Sequence, residues 1–240
     1  MTTAHRIRCI IVFLRILLTH NIDGHTIALA KKSGFNQNQA FVKNQDTITK
    51  LSESNGGQRA LAWLESIKTF SAKFEQIDAN GNSHQGLLYF QRPGHIRFEY
   101  SSETPLLIVS DGKTIAIADY ELETVNRVPI LSTPLRYLLG DMSKLKTKDA
   151  FIDVKYMQNQ IFVTFVDPKE TAQGQLTLVF EENTFRSIEP QIVLKGWYVK
   201  DGMNNLTEVI LNDPKLNLSF NPRIFILNDE DVVSKTRRRR

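Results

Sequence analysis

The chain has 240 residues, 41% of them hydrophobic and 14 of them phenylalanine, which is enough for one domain with an apolar core. It contains no run of about 18 apolar residues, which a membrane-spanning helix would need. The formal net charge is +4, but residues 1–30 hold three arginines against one aspartate and residues 237–240 are all arginine, so the body between them carries −2. This balance argues against nucleic acid as the main partner.

Residues 1–30 have the layout of a secretory signal peptide. Arginines precede a short apolar run at 9–14 and 16–18, and the small-residue tripeptide 28–30 follows. Cleavage after Ala30 would remove Cys9, the only cysteine, so the exported chain could form no disulfide and its fold must rest on its core. The alternative interpretation is a disordered or helical N-terminus.

The remaining chain divides into three predicted parts. Residues 31–55 are polar and predict a flexible linker that cannot bury enough surface to order itself. Residues 56–230 carry the periodic apolar patterns of a folded domain. Residues 231–240 predict a basic, disordered tail.

The domain begins with a predicted short helix at 58–68, in which apolar residues recur at helical spacing and Ser54 or Asn55 could supply the cap. Alternating strands follow from Thr69, separated by the turn signals Asn80-Gly81 and Asp111-Gly112. The predicted strands cover 69–76, 86–92, 95–100, 106–110, 114–118, 121–128, 151–157, 161–166, 175–180, 187–194, 207–211, 215–220 and 223–227. Evenly spaced short strands of this kind favour a sandwich or a barrel.

The stretch 86–100 predicts a hairpin that turns at Pro93-Gly94, because proline closes a strand and glycine accepts a positive φ. Side chains alternate along a strand, so Leu88, Phe90 and Arg92 share one face, as do Ile96, Phe98 and Tyr100. One guanidinium therefore lies at the rim of an apolar surface. Arg92 could be a latch or a ligand anchor, or simply an edge arginine with its head in water.

The stretch 132–140 interrupts the β pattern and predicts a helix of two turns. Ser132 or Thr133 would cap it, Pro134 lies near its first position and Gly140 follows its end. Leucines 135, 138 and 139 would share one face. So short a helix is unstable alone, so this face must lie against an apolar surface.

No catalytic constellation is visible in the sequence. The exported chain would keep only His84 and His95, and it contains no nucleophile elbow, phosphate loop, zinc-protease motif or thiol. Two histidines on neighbouring strands are more often edge residues than metal ligands. We therefore predict no enzyme, no cofactor and no metal, with an exported enzyme of unrecognised site as the weaker alternative.

Four motifs in order resemble the LolA family of periplasmic outer-membrane lipoprotein carriers, over roughly residues 60–228. They are Phe70-x-Ala72-x-Phe74-x-Gln76, the block from Gly86 through Arg92-Pro93-Gly94 to Tyr100, 108–113, and Thr133-Pro134-Leu135 with Leu138-Leu139. The resemblance implies a mainly β fold, an incompletely closed antiparallel barrel of about 11 strands, with short helices forming a lid.

The resemblance also implies a site. Acyl chains would occupy the apolar concave side, Arg92 would latch the lid through backbone carbonyls, and Ile96 falls where a residue that affects lipoprotein transfer is expected. The implied cargo-binding residues are Phe70, Phe74, Leu88, Phe90, Ile96, Phe98, Tyr100, Leu135, Leu138 and Leu139.

The implied partners are acylated lipoproteins, the inner-membrane Lol ABC transporter and a LolB-like outer-membrane acceptor, with the chain itself a monomer in the periplasm. Two alternatives share this fold: a periplasmic lipid or glycolipid carrier, and a regulatory module that senses lipoproteins.

Overall fold

The computed structural model describes residues 55–140, 151–167, 174–183, 191–228 and 232. The predicted signal peptide, nearly all of the predicted linker and all of the predicted tail except Val232 lie outside the described residues. Within them, no helix has the length and apolar character needed to cross a membrane.

The described elements are mainly strands. They are α1 (Asn55–Ser66), β1 (Thr69–Ile77), β2 (Ser83–Gln91), β3 (His95–Tyr100), β4 (Leu106–Asp111), β5 (Thr114–Asp119), β6 (Thr124–Pro129), a first 3-10 helix (Ile130–Ser132), α2 (Arg136–Leu139), β7 (Phe151–Met157), β8 (Gln160–Val166), β9 (Gln175–Asn183), β10 (Gln191–Lys200), β11 (Leu206–Leu216) and a second 3-10 helix (Pro222–Phe225).

The strands form one antiparallel sheet in the order β6-β5-β4-β3-β2-β1-β11-β10-β9-β8-β7. Consecutive strands pair within β1–β6 and within β7–β11, and the pairing of β1 with β11 joins the two halves. Strands β6 and β7 are the two edges, so the sheet is not closed. The predicted fold, an incompletely closed antiparallel barrel of about 11 strands with short helices, is confirmed.

Aspartates fix several of the hairpin turns. The carboxylate of Asp78 accepts from the backbone N–H groups of Asn80 and Asn82 at 2.8 and 2.9 Å, and Asp201 binds its own turn in the same way. Asp111 accepts from Lys113 and Thr114, and these bonds lower the pKa of its carboxyl group. The predicted hairpins at Asn80-Gly81, Pro93-Gly94 and Asp111-Gly112 are confirmed.

The two faces of the sheet are buried to different extents. Along β1 and β8 every second residue is buried, so one face holds the main apolar cluster. Strands β4 and β5 are buried on both faces. A second, smaller cluster of Leu107, Val109, Ala118 and Val232 accounts for this additional burial on the outer face.

The C-terminal strap, defined as residues 217–228, covers part of this outer face. The Arg97 guanidinium on β3 donates to the Ile224 carbonyl at 3.1 Å, and the buried Phe225 ring lies 5.4 Å from His95. Val232, which the sequence interpretation assigned to the tail, is also buried. The packed part of the chain therefore extends past the predicted boundary at residue 230.

Two predictions at the C-terminus are wrong. The predicted strand at 223–227 is the second 3-10 helix, which begins at Pro222 with the Asn221 side chain accepting from the Arg223 N–H. The predicted strands at 207–211 and 215–220 form the single strand β11, which ends at Leu216. Its Asn212-Asp213-Pro214 sequence lies at an irregularity opposite Ser71 and Lys73, with Asp213 at a φ of 52°, and proline is tolerated at such bulges.

Other boundaries also differ from the predictions; among them, β2 begins at Ser83, β9 ends at Asn183 and β10 extends to Lys200. Strand β6 begins at Thr124 rather than residue 121, because the Asp119 carboxylate accepts from the N–H groups of Glu121 and Leu122 and holds them in a turn. The predicted two-turn helix at 132–140 is the one-turn α2. The Thr133 hydroxyl donates back to the Ile130 carbonyl, so it caps no helix.

Candidate functional site

The inner face of the sheet brings the predicted cargo-binding residues together. All ten belong to the main apolar cluster and none is more than 7% exposed: Phe70, Phe74, Leu88, Phe90, Ile96, Phe98, Tyr100, Leu135, Leu138 and Leu139. The first seven lie on β1, β2 and β3, and the three leucines come from the segment that follows β6. The interior is therefore apolar and covered.

Aromatic rings form one end of this interior. The Phe74 ring meets the rings of Phe98 and Tyr100 edge-on, with centroids 5.1 and 5.0 Å apart. Trp197 on β10 meets Phe98 edge-on at 6.1 Å. These geometries are the ones that aromatic quadrupoles favour. The cluster links the β1–β3 half of the sheet to the β10 side.

The lid, defined as residues 130–140, contains the first 3-10 helix and α2 and follows edge strand β6. Its Ile130, Leu135, Tyr137, Leu138 and Leu139 all pack into the main cluster. The Tyr137 ring stacks on Phe165 of β8 at 5.2 Å. The lid thus extends from one sheet edge to side chains of a strand next to the other edge.

The β2–β3 turn binds the C-terminal end of the lid helix. The Arg92 guanidinium donates to the Leu138 carbonyl at 2.7 Å and to the Gly140 carbonyl at 3.4 Å. The Gly94 N–H donates to the Leu139 carbonyl at 2.9 Å. The last carbonyls of a helix have no partner within the helix, so this turn satisfies three that would otherwise need water.

An ion pair holds the other side of the lid. The Arg136 guanidinium lies 3.2 Å from the carboxylate of Asp167, which follows β8 and is buried. The same guanidinium lies over the Tyr137 ring, 4.7 Å from its centroid, and donates to its hydroxyl at 2.6 Å. The lid is therefore attached to both halves of the sheet.

One titratable group, the Tyr100 phenol, lies in the interior and favours the neutral state. Burial raises the pKa of the Tyr100 phenol well above its usual value, and its hydroxyl donates to the Gln76 side chain at 2.7 Å. His84 and His95 lie toward opposite ends of the β2–β3 hairpin, where they contact Thr104 and the Pro93 carbonyl. A neutral phenol in an apolar interior is suited to binding rather than to proton transfer.

Several residues of the site were absent from the sequence prediction. Gln76 and Trp197 face the interior, Tyr137 lies in the lid, and Arg136 pairs with Asp167. Gln76 ends the motif Phe70-x-Ala72-x-Phe74-x-Gln76, and this alternation places it on the same face, but it was not among the predicted site residues. The Arg136–Asp167 pair joins residues 31 positions apart, and no local pattern marks it.

Comparison with known proteins places this architecture in a family. The family model described as "Outer membrane lipoprotein carrier protein LolA" matches residues 65–228, which is well over half of the chain. This chain belongs to the LolA family. Both the lid and the β2–β3 turn that holds it fall within the matched residues.

Individual relatives of the family are similar at modest identity. An outer-membrane lipoprotein carrier protein of Chromohalobacter salexigens is 26% identical over 179 residues, covering 71% of this chain and 81% of that protein. One from Chromobacterium violaceum is 28% identical over 191 residues, covering 72% and 84%. The solved structure of a LolA superfamily protein from Nitrosomonas europaea aligns with 71% of this chain and 97% of that chain, at 11% identity and a TM-score of 0.40.

Proposed function

We propose that this protein carries the acyl chains of lipoproteins across the periplasm, from the inner to the outer membrane. The observation that supports it most directly is the lid: an apolar segment lies over an apolar interior and is held at its end by hydrogen bonds from Arg92 and Gly94. Membership of a family described as lipoprotein carriers supports the same function. The proposed role is binding and release, without catalysis or cofactor.

The energetics explain why a carrier needs such an interior. Each acyl CH₂ that leaves a bilayer for water costs about 0.8 kcal/mol, so an acylated protein cannot cross an aqueous compartment unaided. The phenylalanine and leucine side chains of the inner face are about as apolar as the hydrocarbon of a bilayer. Because these side chains are buried in the described structure, we propose that acyl chains enter by displacing the lid.

Arg92 would couple lid closure to release. Its bonds to the Leu138 and Gly140 carbonyls form only when the lid is closed. Cargo in the interior prevents them, and their reformation favours the empty state. A hydrogen bond from a charged donor contributes about 1.5–3 kcal/mol, which is enough to shift the balance between loaded and empty protein by about 10- to 100-fold.

The proposed partners follow from this role. The inner-membrane Lol ABC transporter would supply the lipoprotein, and a LolB-like outer-membrane acceptor would receive it. The protein would act as a soluble monomer in the periplasm after removal of residues 1–30. The predicted cargo residues of β1–β3, Ile96 among them, would contact the acyl chains.

Arg92→Leu tests the latch, and Arg97→Leu is its matched control. Both arginines donate to a backbone carbonyl, but Arg97 acts on the outer face, at Ile224 of the strap. Each purified variant is loaded with a lipoprotein and mixed with outer-membrane acceptor, and transfer is followed over time. We expect Arg92→Leu to load normally and to release about 10- to 100-fold more slowly, while Arg97→Leu transfers at the wild-type rate.

Two results would contradict this proposal. If Arg92→Leu loads and transfers at the wild-type rate, Arg92 is only a rim residue. If protein purified from the periplasm carries free lipids and no acylated protein, as mass spectrometry would reveal, a lipid carrier of the same fold replaces the lipoprotein carrier.

A further inference from the structure

Two polar side chains face the apolar interior with hydrogen-bond donors that have no partner among the described residues. They are the Nε2 amide of Gln76 on β1 and the indole Nε1 of Trp197 on β10. Each side chain belongs to a residue only 1% exposed. Donors buried in this way are rare in folded proteins, because each loses its hydrogen bonds to water without a replacement.

The two donors lie in the same row across the sheet. Gln76 and Trp197 are both paired in register with Val209 of β11, which lies between them. Neighbouring strands are about 4.8 Å apart, so the two backbones are about 10 Å apart and long side chains can approach a common ligand. The centroid of the Phe98 ring lies 6.1 Å from that of Trp197 and 6.4 Å from that of Tyr100, the residue that binds Gln76.

Tyr100 orients the amide of Gln76. Its hydroxyl donates to the Gln76 Oε1 at 2.7 Å, so the carbonyl end of the amide is occupied and the NH₂ end is left to donate. An indole N–H can only donate. The pair therefore presents donors alone, which fits a ligand that presents acceptors alone.

We propose that Gln76 and Trp197 form a subsite that binds the carbonyl oxygens of the cargo's acyl groups. This inference rests on the proposed carrier function and specifies the part of the lipid that the protein recognises. An acyl chain differs from a plain hydrocarbon by its ester or amide carbonyl, which is a hydrogen-bond acceptor. Binding would give both donors the partners that the empty interior does not supply.

The subsite also implies an orientation for the cargo. Arg92 and the last residues of the lid, 138–140, are at the Lys68 end of β1, where the Arg92 N–H donates to the Lys68 carbonyl. Gln76 lies eight residues further on, about 26 Å along a strand that rises about 3.3 Å per residue. The carbonyl end of the lipid would therefore be held far from the latch, with the hydrocarbon tail extending toward the lid.

The test compares two probes that differ only in carbonyl groups: a diacylglycerol, and a dialkylglycerol ether of the same chain length. Each competes with a bound fluorescent fatty acid on the mature protein, its Gln76→Leu variant and its Trp197→Phe variant. We expect wild type to prefer the diacyl probe by about 10-fold, which corresponds to about 1.4 kcal/mol. Each variant should lose most of this preference while binding the ether as wild type does.

The outcomes separate the subsite from the carrier function. Equal binding of both probes by wild type overturns the subsite alone, and so does a preference that survives in both variants. Failure of both probes to bind overturns the carrier function and the subsite together. Gln76→Leu also removes the acceptor for Tyr100, so if it does not fold, Trp197→Phe, which keeps an aromatic ring and removes only the N–H donor and ring volume, decides the question.

Discussion

The lid and the C-terminal strap cover opposite faces of the same sheet, and both are held by an arginine on the β2–β3 hairpin. Arg92 donates to the Leu138 and Gly140 carbonyls of the lid, and Arg97 donates to the Ile224 carbonyl of the strap. The chemistry of attachment is therefore the same. The surfaces that the two segments cover are different.

Beneath the lid lies the main apolar cluster, to which the lid contributes five buried side chains. The strap contributes the buried Phe225, and its Ile226 is 66% exposed. The outer cluster near the strap is small, with Leu107, Val109 and Ala118 from two strands. Opening the lid would expose the main apolar cluster of the inner face, whereas displacing the strap would expose a small apolar cluster of the outer face. Only the first corresponds to the proposed entry of acyl chains.

The largest expected effect comes from a matched pair of substitutions, one in the lid and one in the strap. Leu139→Asp introduces a carboxylate at a fully buried lid position, and Ile226→Asp introduces it at an exposed strap position. Burying an unpaired carboxylate, or protonating it so that it can stay buried, costs free energy, and displacement of the lid avoids this cost. We expect Leu139→Asp to lower the free energy of unfolding by at least about 3 kcal/mol and to bind an apolar fluorescent dye under native conditions.

Ile226→Asp is the control, because its carboxylate stays in water. Its free energy of unfolding should change by no more than about 0.5 kcal/mol, without dye binding. Urea unfolding and dye fluorescence measure both variants. A Leu139→Asp protein that is as stable as wild type and binds no dye would show that the lid does not cover the interior.

The lid and the strap also differ in how far the sequence predicts them. The apolar positions of the lid, Leu135, Leu138 and Leu139, follow from local spacing, and the structure buries all three. The helix itself is shorter than predicted, because residues 136–138 each donate to the carbonyl three residues earlier, as in a 3-10 helix. Only Leu139 and Gly140 donate to the carbonyl four residues earlier, as in an α-helix. The local sequence pattern therefore predicted which lid side chains are buried, but it did not predict the conformation of the lid backbone.

The strap shows a limit of pattern reading. Residues 224–227 are an apolar run that resembles a strand, yet the structure forms a 3-10 helix there. A strand needs a neighbour to pair with, and the sequence does not reveal which sheet edge is available. The hairpins of β1–β5 could be predicted because turn residues and alternation act over a few positions. The contacts that close the site, such as Arg136 with Asp167, depend on long-range packing.

A smaller effect is expected from the second attachment of the lid. Arg136→Met keeps the length of the side chain and removes the charge that faces the buried Asp167 carboxylate at 3.2 Å. Removing one partner of a buried ion pair leaves the other charge less well compensated. Since Arg136 is partly exposed, we expect a loss of about 2 kcal/mol in the free energy of unfolding, measured in urea at neutral pH.

The double variant Arg136→Met with Asp167→Asn serves as the control for this prediction. It removes both charges, so most of the lost stability should return. If the single and double variants are equally unstable, the guanidinium acts through its packing on Tyr137 rather than through the carboxylate.

The smallest effect is confined to alkaline pH and compares one tyrosine on each face of the sheet. Burial raises the pKa of Tyr100 on the inner face. Burial, followed by the hydrogen bond to Glu208 and its negative charge, raises the pKa of Tyr198 on the other face to about 12. Both phenols have an ordinary pKa of 10.0 in the unfolded chain.

Since the folded pKa is the higher one, the folded protein keeps a proton that the unfolded chain loses above about pH 10. The contribution of each phenol is therefore complete below that pH and is lost as the pH rises toward the folded pKa. We expect the stability of Tyr100→Phe to fall less steeply than that of wild type above pH 10, by up to about 1.4 kcal/mol per pH unit. Tyr198→Phe should give a smaller change, because Tyr198 is only half-buried and solvent screens its interactions. Urea unfolding between about pH 9 and 11.5 measures both, and identical slopes for Tyr100→Phe and wild type would mean that Tyr100 is solvated rather than enclosed in the apolar interior.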